Sequence, residues 1–282
     1  MVERPAQLLP LLLLSWMAIA ASTSVEAEDL VAKKSPFTLG DTLEFHSRIL
    51  GEDRILNVYL PLGYGKDPNR TYPVIYLLDG SADEDFIHIA GLVQFGSFPW
   101  LEKIPETLVV GIANVDRKRD FTYPSKNEEE RKAVPTSGGS AAFLDMLSQE
   151  IQPLVERTYR VGGPKTLIGQ SLGGLVATEI LFKRPELFNN YIIVSPSLWW
   201  DHESLLKSEP RKAPSGTSVY IAVGIEGEVM ERVAEELHQK LAAGSPSYDR
   251  LWFRKHPELD HADTLHLSVY HAFEALFGKT DE

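Results

Sequence analysis

The chain contains no cysteine, and that absence removes several kinds of chemistry at once. Thiol nucleophiles, thiolate-ligated zinc, disulfide frameworks and lipid attachment to an N-terminal cysteine are all excluded. Basic charge is scarce: 28 Lys and Arg stand against 40 Asp and Glu, a formal net charge of −12. Such a balance disfavours non-specific nucleic-acid binding, which needs a basic surface, and adhesion to anionic membranes. The apolar run from Leu8 to Ala21 falls short of the ~20 residues a helical membrane span requires. Preceded by Arg4 and followed by Val25-Glu26-Ala27, it reads as an export signal cleaved before Glu28. Residues 1–27 are then a signal peptide and 28–282 a single domain, exported to the periplasm or the medium without stable membrane insertion. An uncleaved anchor or a buried first helix is the other reading of the same run.

What is present is an ordinary globular composition, 43% hydrophobic and 24% charged, with no internal repeat. Short β-rich runs alternate with amphipathic stretches, the signature of a parallel sheet flanked by helices. Strands are predicted at Leu43–Leu50, Arg54–Leu60, Pro73–Leu78, Thr107–Ile112, Lys165–Gly169, Tyr191–Val194, Ser218–Val223 and Arg250–Arg254. The first two should pair as an antiparallel hairpin across Gly51-Glu52-Asp53. Helices are predicted at Asp83–Phe95, Gly139–Thr158, Ser171–Lys183, Glu228–Ala243 and Thr264–Phe277. The fold class is therefore α/β, with a mostly parallel eight-stranded sheet in one domain. Asp116–Ser140 and Ser195–Ser215 break the rhythm, and long loops in such domains commonly carry function.

Gly169-Gln170-Ser171-Leu172-Gly173 is a G-x-S-x-G motif. It follows the apolar run Thr166-Leu167-Ile168 and opens an apolar helix, the strand–turn–helix context that such a nucleophile requires. Glycines on either side allow a strained turn that lifts the Ser171 hydroxyl clear of the sheet. The Leu172 N–H, at a helix N-terminus, can then face a developing oxyanion. This arrangement resembles that of the α/β-hydrolase fold, in which an acid and then a histidine are expected to follow the serine along the chain.

His261, in Leu259-Asp260-His261-Ala262-Asp263 between the last strand and last helix, is placed to act as base; His256 is the second choice. His266 and His271 lie about 140° apart around one helix, which argues against a metal site there. The acid should follow the penultimate strand, in Gly224-Ile225-Glu226-Gly227-Glu228. Glu226 is preferred, because Glu228 also suits a helix's first turn on electrostatic grounds alone; Asp201 stands third. A second oxyanion donor is expected after the third strand, from the N–H of Gly80 or Ser81, and the sequence does not choose between them. Arg117, Lys118 and Arg119 form a basic cluster able to hold an anionic substrate. Of Trp199 and Trp200, one is assigned to stacking on a planar substrate and the other to the core.

These residues together resemble the esterase branch of the α/β-hydrolases that groups esterase D, enterochelin esterase and exported ferric-siderophore hydrolases. The resemblance runs from Phe45 to Phe277 and rests on Tyr76-Leu77-Leu78-Asp79-Gly80, Asp116–Thr122, Gly169–Gly174, Ser195-Pro196-Ser197-Leu198-Trp199-Trp200 and Asp260-His261. It implies acyl transfer to water by Ser171 and His261, no cofactor, a small-molecule ester as substrate, and a pocket bordered by the Arg119 and Trp199 loops. Two departures matter. The family's acid usually sits one position later than Glu226, and some siderophore hydrolases resemble a Ser–His dyad. The His-Gly element of the esterase D type is replaced by Asp79-Gly80, which weakens a formaldehyde-detoxifying reading. An acyltransferase of the same fold and a non-catalytic binding protein are the rival readings.

Overall fold

The computed structural model describes residues 33–244, 248 and 250–278. The proposed signal peptide and its cleavage point lie outside the described residues. The chain divides into Met1–Phe37 and Thr38–Glu282. Of the first unit only residues 33–37 are described, without helix or strand; every described strand and helix belongs to the second.

Among the described residues eight strands form one mixed sheet: β1 (Gly40–Ser47), β2 (Glu52–Tyr59), β3 (Tyr72–Leu77), β4 (Leu108–Ile112), β5 (Val161–Gln170), β6 (Asn190–Val194), β7 (Ser218–Val223) and β8 (Arg250–Lys255). Their order is β1-β2-β4-β3-β5-β6-β7-β8. The pairs β1/β2 and β2/β4 are antiparallel and the other five are parallel. The β1–β2 turn occupies residues 48–51 instead of the expected Gly51-Glu52-Asp53, so that Ser47 pairs with Glu52. Gly51 closes this turn with φ +67, a conformation glycine adopts without a steric penalty.

Central strands are apolar on both faces, because a parallel sheet is covered on both sides. Val74, Tyr76, Leu167, Tyr191, Ile193, Val219 and Ile221 belong to one core. Their neighbours Ile75, Leu77, Ile168, Ile192, Val194, Tyr220 and Ala222 belong to the other. The first core also holds residues of α4 (Ser140–Met146), α5 (Gln152–Thr158), α6 (Leu172–Lys183) and α8 (Glu228–Ala243). The second holds residues of α1 (Phe86–Gly96) and α9 (Thr264–Phe277). At ~25 cal/mol per Å² of buried apolar surface, these two layers are the main source of stability.

The long helix expected over Gly139–Thr158 is broken by a π turn at Leu147–Ile151, with Pro153 in the first turn of α5. Proline has no N–H to donate to the preceding turn, and the ladder shifts there. The two irregular stretches contain short helices. In the first are α2 (Arg117–Asp120), capped by Asp116, and α3 (Glu128–Ala133), capped by Asn127. In the second is α7 (Trp200–Lys207), interrupted by left-handed Asp201, His202 and Glu203. Both stretches leave the C-terminal ends of parallel strands. No described helix is long and apolar enough to cross a membrane.

Candidate active site

Ser171 stands between β5 and α6 at φ 59, ψ −119, a strained conformation of the kind that concentrates at functional sites. Its N–H donates to Val194 O at 3.1 Å, and its carbonyl accepts from Leu175 N at 2.9 Å and Ser197 N at 3.0 Å. A Cβ at Gly169 would lie 2.4 Å from Gly173 O; at Gly173 the nearest atom, Asp79 Oδ2, would be 3.3 Å away. Only the first of the motif's two glycines is therefore demanded by a hard clash. Leu172 is the first residue of α6, so its N–H has no intrahelical acceptor and remains available to a ligand.

His261 sits in a loop that ties itself together. Asp260 N donates to Asp263 Oδ1 and Ala262 N to Asp260 Oδ1, each at 2.8 Å. Gln170, next to the serine, reaches across to the loop and donates from Nε2 to His261 O at 2.6 Å. Glu226 lies opposite, with Oε2 2.5 Å from His261 Nδ1. The two differ sharply in exposure: the imidazole is 46% exposed and the carboxylate 1%. The hydrogen bond to Glu226 holds His261 above its usual pKa, against partial desolvation. Burial alone would raise Glu226, but hydrogen bonds from His261, Ser195 and the Gly224 amide more than offset it and hold the carboxyl below its ordinary range.

Ser171 and His261 line two adjoining hollows. One, of about 580 Å³, is walled by Trp199, Ile225, Met230 and Ala262 on its apolar side. The other, of about 410 Å³, is charged and includes Asp79, Glu84, Asp85 and Arg117. Ser171 Oγ lies 3.4 Å from Ser197 Oγ and is not hydrogen-bonded to the imidazole. Nucleophile–base contacts of this kind are often loose before substrate arrives.

The other expected site residues fall elsewhere or change role. Arg119 does not reach either hollow: it grips Glu52 with both terminal nitrogens and Asp120 with Nε, ties that hold its pKa up. Arg117 lines the charged hollow instead, in a fork on Asp79 at 2.6 and 2.8 Å. Gly80 is not an available oxyanion donor, because its N–H donates to Ile112 O at 3.0 Å. A Cβ there would lie 2.3 Å from Gly111 Cα, so this glycine serves the close approach of β3 and β4. Ser81 N faces Glu84 Oε2 at 3.3 Å, a weak tie that a stronger acceptor can replace. Glu228 is exposed in the first turn of α8. Asp201 accepts from Lys126 N at 2.6 Å, away from the imidazole. His256 is buried beside His271. Trp200 is 1% exposed in the core with Nε1 bonded to Tyr123 O, while Trp199, 37% exposed, stands at the apolar hollow. Ser195, Ser197 and Gln170 received no role from sequence, although all three lie within the motifs that carry the family resemblance. Among the described residues no group of three or more His, Asp or Glu side chains is arranged to hold a metal ion.

The family model described as "Putative esterase" matches residues 47–273. The chain belongs to this esterase family. Membership places it in the α/β-hydrolase superfamily, among ester-hydrolysing enzymes. The ferri-bacillibactin esterase BesA of Bacillus subtilis is 28% identical over 244 residues, covering 78% of this esterase and 84% of the relative. The siderophore triacetylfusarinine C esterase of Aspergillus fumigatus is 28% identical over 227 residues, covering 73% and 75%. A solved IroE-like serine hydrolase from Shewanella oneidensis superimposes with a TM-score of 0.74 at 30% identity, over 84% of this esterase and 79% of that chain.

Proposed function

We propose that this esterase is an exported serine hydrolase that cleaves carboxylic esters of small molecules through an acyl-enzyme on Ser171. His261 is the general base and Glu226 the acid that orients it. The observation that carries this reading is the 2.5 Å contact of His261 Nδ1 with Glu226 Oε2, made where Ser171 and His261 share both hollows.

A carboxylate accepting from Nδ1–H fixes the imidazole tautomer and leaves Nε2 unprotonated. Nε2 takes the Ser171 proton as Oγ attacks the ester carbonyl, and the resulting imidazolium is stabilised by the buried Glu226. The oxyanion is bound by the N–H groups of Leu172 and Ser81, the latter exchanging Glu84 for the stronger charge. Collapse of the tetrahedral adduct expels the alcohol, which takes the proton from Nε2. Water then repeats the cycle on the acyl-enzyme. The half-exposed imidazole supports transfer to water over transfer to a second alcohol.

The substrate class follows from the two hollows. Trp199 offers a flat face to an aromatic or other planar group, and on the charged side Arg117, with Nε and Nη2 held by Asp79, leaves Nη1 to a neutral phenolic or ester oxygen beside carboxylates that suit hydroxyl donors. Aryl esters and siderophore-type lactones suit that pairing, and relatives named for siderophore esters support it. Export is supported by the sequence of residues 1–27.

The test is hydrolysis of p-nitrophenyl acetate and butyrate, then of catecholate and hydroxamate siderophore lactones, by the wild type, Ser171→Ala and His261→Ala. Turnover by the wild type that disappears in both folded variants is the expected result. Turnover that survives Ser171→Ala would refute the assignment.

A further inference from the structure

Ser195 follows the last residue of β6 with φ +45, in the left-handed region where a side chain is strained and glycine is the usual choice. It is fully buried. Its N–H donates to Ala222 O at 2.7 Å, which ties the end of β6 to the end of β7. The backbone turn would be made at lower cost by glycine. What serine adds is a hydroxyl, and that hydroxyl donates to Glu226 Oε1 at 2.5 Å.

Glu226 Oε1 has a further donor in Gly224 N at 2.8 Å, while the Thr264 hydroxyl, 3.4 Å away, gives its hydrogen to Asp260 O. The carboxylate is thus divided between two tasks: Oε1 is anchored to the sheet end and Oε2 is left to His261. The acid sits one residue after Ile225 on an exposed loop, and without an anchor its three side-chain torsions would be free to carry it off the imidazole. We propose that Ser195 is a positioning residue for this reaction, acting through Glu226: its strained, buried hydroxyl fixes the carboxylate plane so that Oε2 meets Nδ1. Both readings share one site, so this inference rests on the Ser171–His261–Glu226 assignment above.

The test is a double-mutant cycle of Ser195→Gly and Glu226→Ala, read by p-nitrophenyl ester kinetics and by NMR titration of the His261 imidazole. Glycine suits the φ of the turn, so Ser195→Gly is expected to fold; Ser195→Ala is the second variant. Loss of the anchor should lower kcat 3- to 10-fold with KM within twofold. It should also lower the His261 pKa part of the way toward that of Glu226→Ala. In the Glu226→Ala background, Ser195→Gly should change neither kcat nor the titration by more than experimental error, since coupled residues are not additive. A Ser195→Gly enzyme with wild-type kcat and an unmoved titration, or a loss that multiplies with that of Glu226→Ala, would overturn the proposal. The titration needs no turnover. An inactive wild type with a Ser195-dependent His261 titration would therefore refute the esterase mechanism and leave the anchor standing.

Discussion

Replacing Glu226 by glutamine should damage this enzyme more than replacing it by alanine, although glutamine is nearly isosteric. The reason lies in the donors around Oε1. Ser195 Oγ at 2.5 Å and Gly224 N at 2.8 Å both point hydrogens at that position, so a glutamine must place its carbonyl oxygen there. Its NH2 then occupies the Oε2 position and donates to His261 Nδ1, which forces the proton onto Nε2. An imidazole in that tautomer cannot accept the Ser171 proton. Alanine imposes no tautomer and removes only the charge. Two unit charges ~4 Å apart at an effective dielectric constant near 20 interact by ~4 kcal/mol. Solvent screening of the half-exposed imidazole reduces that to about 2 kcal/mol, or roughly 30-fold in kcat. The glutamine variant should fall at least tenfold further, to roughly 300-fold or more below wild type. Steady-state hydrolysis of p-nitrophenyl butyrate across pH 5 to 9 is the assay. Glu226 raises the His261 pKa, so the acid limb of kcat/KM should move to lower pH in the alanine variant. A glutamine variant more active than the alanine variant would refute this reasoning.

Other perturbations separate structure from chemistry. Arg119→Ala leaves Glu52 and the fully buried Asp120 short of partners, and should cost about 2–3 kcal/mol in urea unfolding with KM unchanged. Arg117→Ala should instead raise KM for a dihydroxyphenyl ester about tenfold while leaving that for its unsubstituted phenyl analogue within twofold; equal effects on both would remove Arg117 from substrate binding. Burial holds His256 below its usual pKa, so it stays neutral in the native state while the unfolded chain takes up a proton below about pH 6.5. Its contribution to stability is therefore fully present above that pH and lost as pH falls through it. The drop in unfolding free energy from pH 7.5 to 5.5 should be smaller in His256→Phe, and an unchanged drop would count against the burial argument. Trp199→Ala should reduce kcat/KM for aryl esters about tenfold and leave that for ethyl acetate within twofold, measured by product release.

The sheet was legible wherever an apolar run was bounded by turn residues. Ser218–Val223 and the helices Glu228–Ala243 and Thr264–Phe277 were expected with the limits they have. Local pattern did not reveal the π turn in Gly139–Thr158, because apolar spacing persists through it and only Pro153 marks the break. The site was harder to read for a different reason: its details depend on contacts between distant segments. Which of Arg117, Lys118 and Arg119 faces the hollow is decided by Asp79, 38 residues earlier, and by Glu52, 67 residues before Arg119. Whether Gly80 offers its amide depends on β4 lying beside β3, which captures that N–H with Ile112 O. The contact of Glu226 with the imidazole depends on the loop after β7 and the loop that carries His261, 35 residues later, lying side by side. Ser195 carried no periodic signal at all; its proposed role depends on a turn at the end of β6 that only the assembled sheet defines.

The most direct measurement of the central claim is covalent capture of the nucleophile. Purified enzyme treated with a fluorophosphonate, digested and mapped by mass spectrometry should carry one adduct on Ser171. That adduct should be absent in Ser171→Ala and form at least tenfold more slowly in His261→Ala. No adduct on the wild type, or one on Ser197 or any other residue with Ser171 unmodified, would contradict the account.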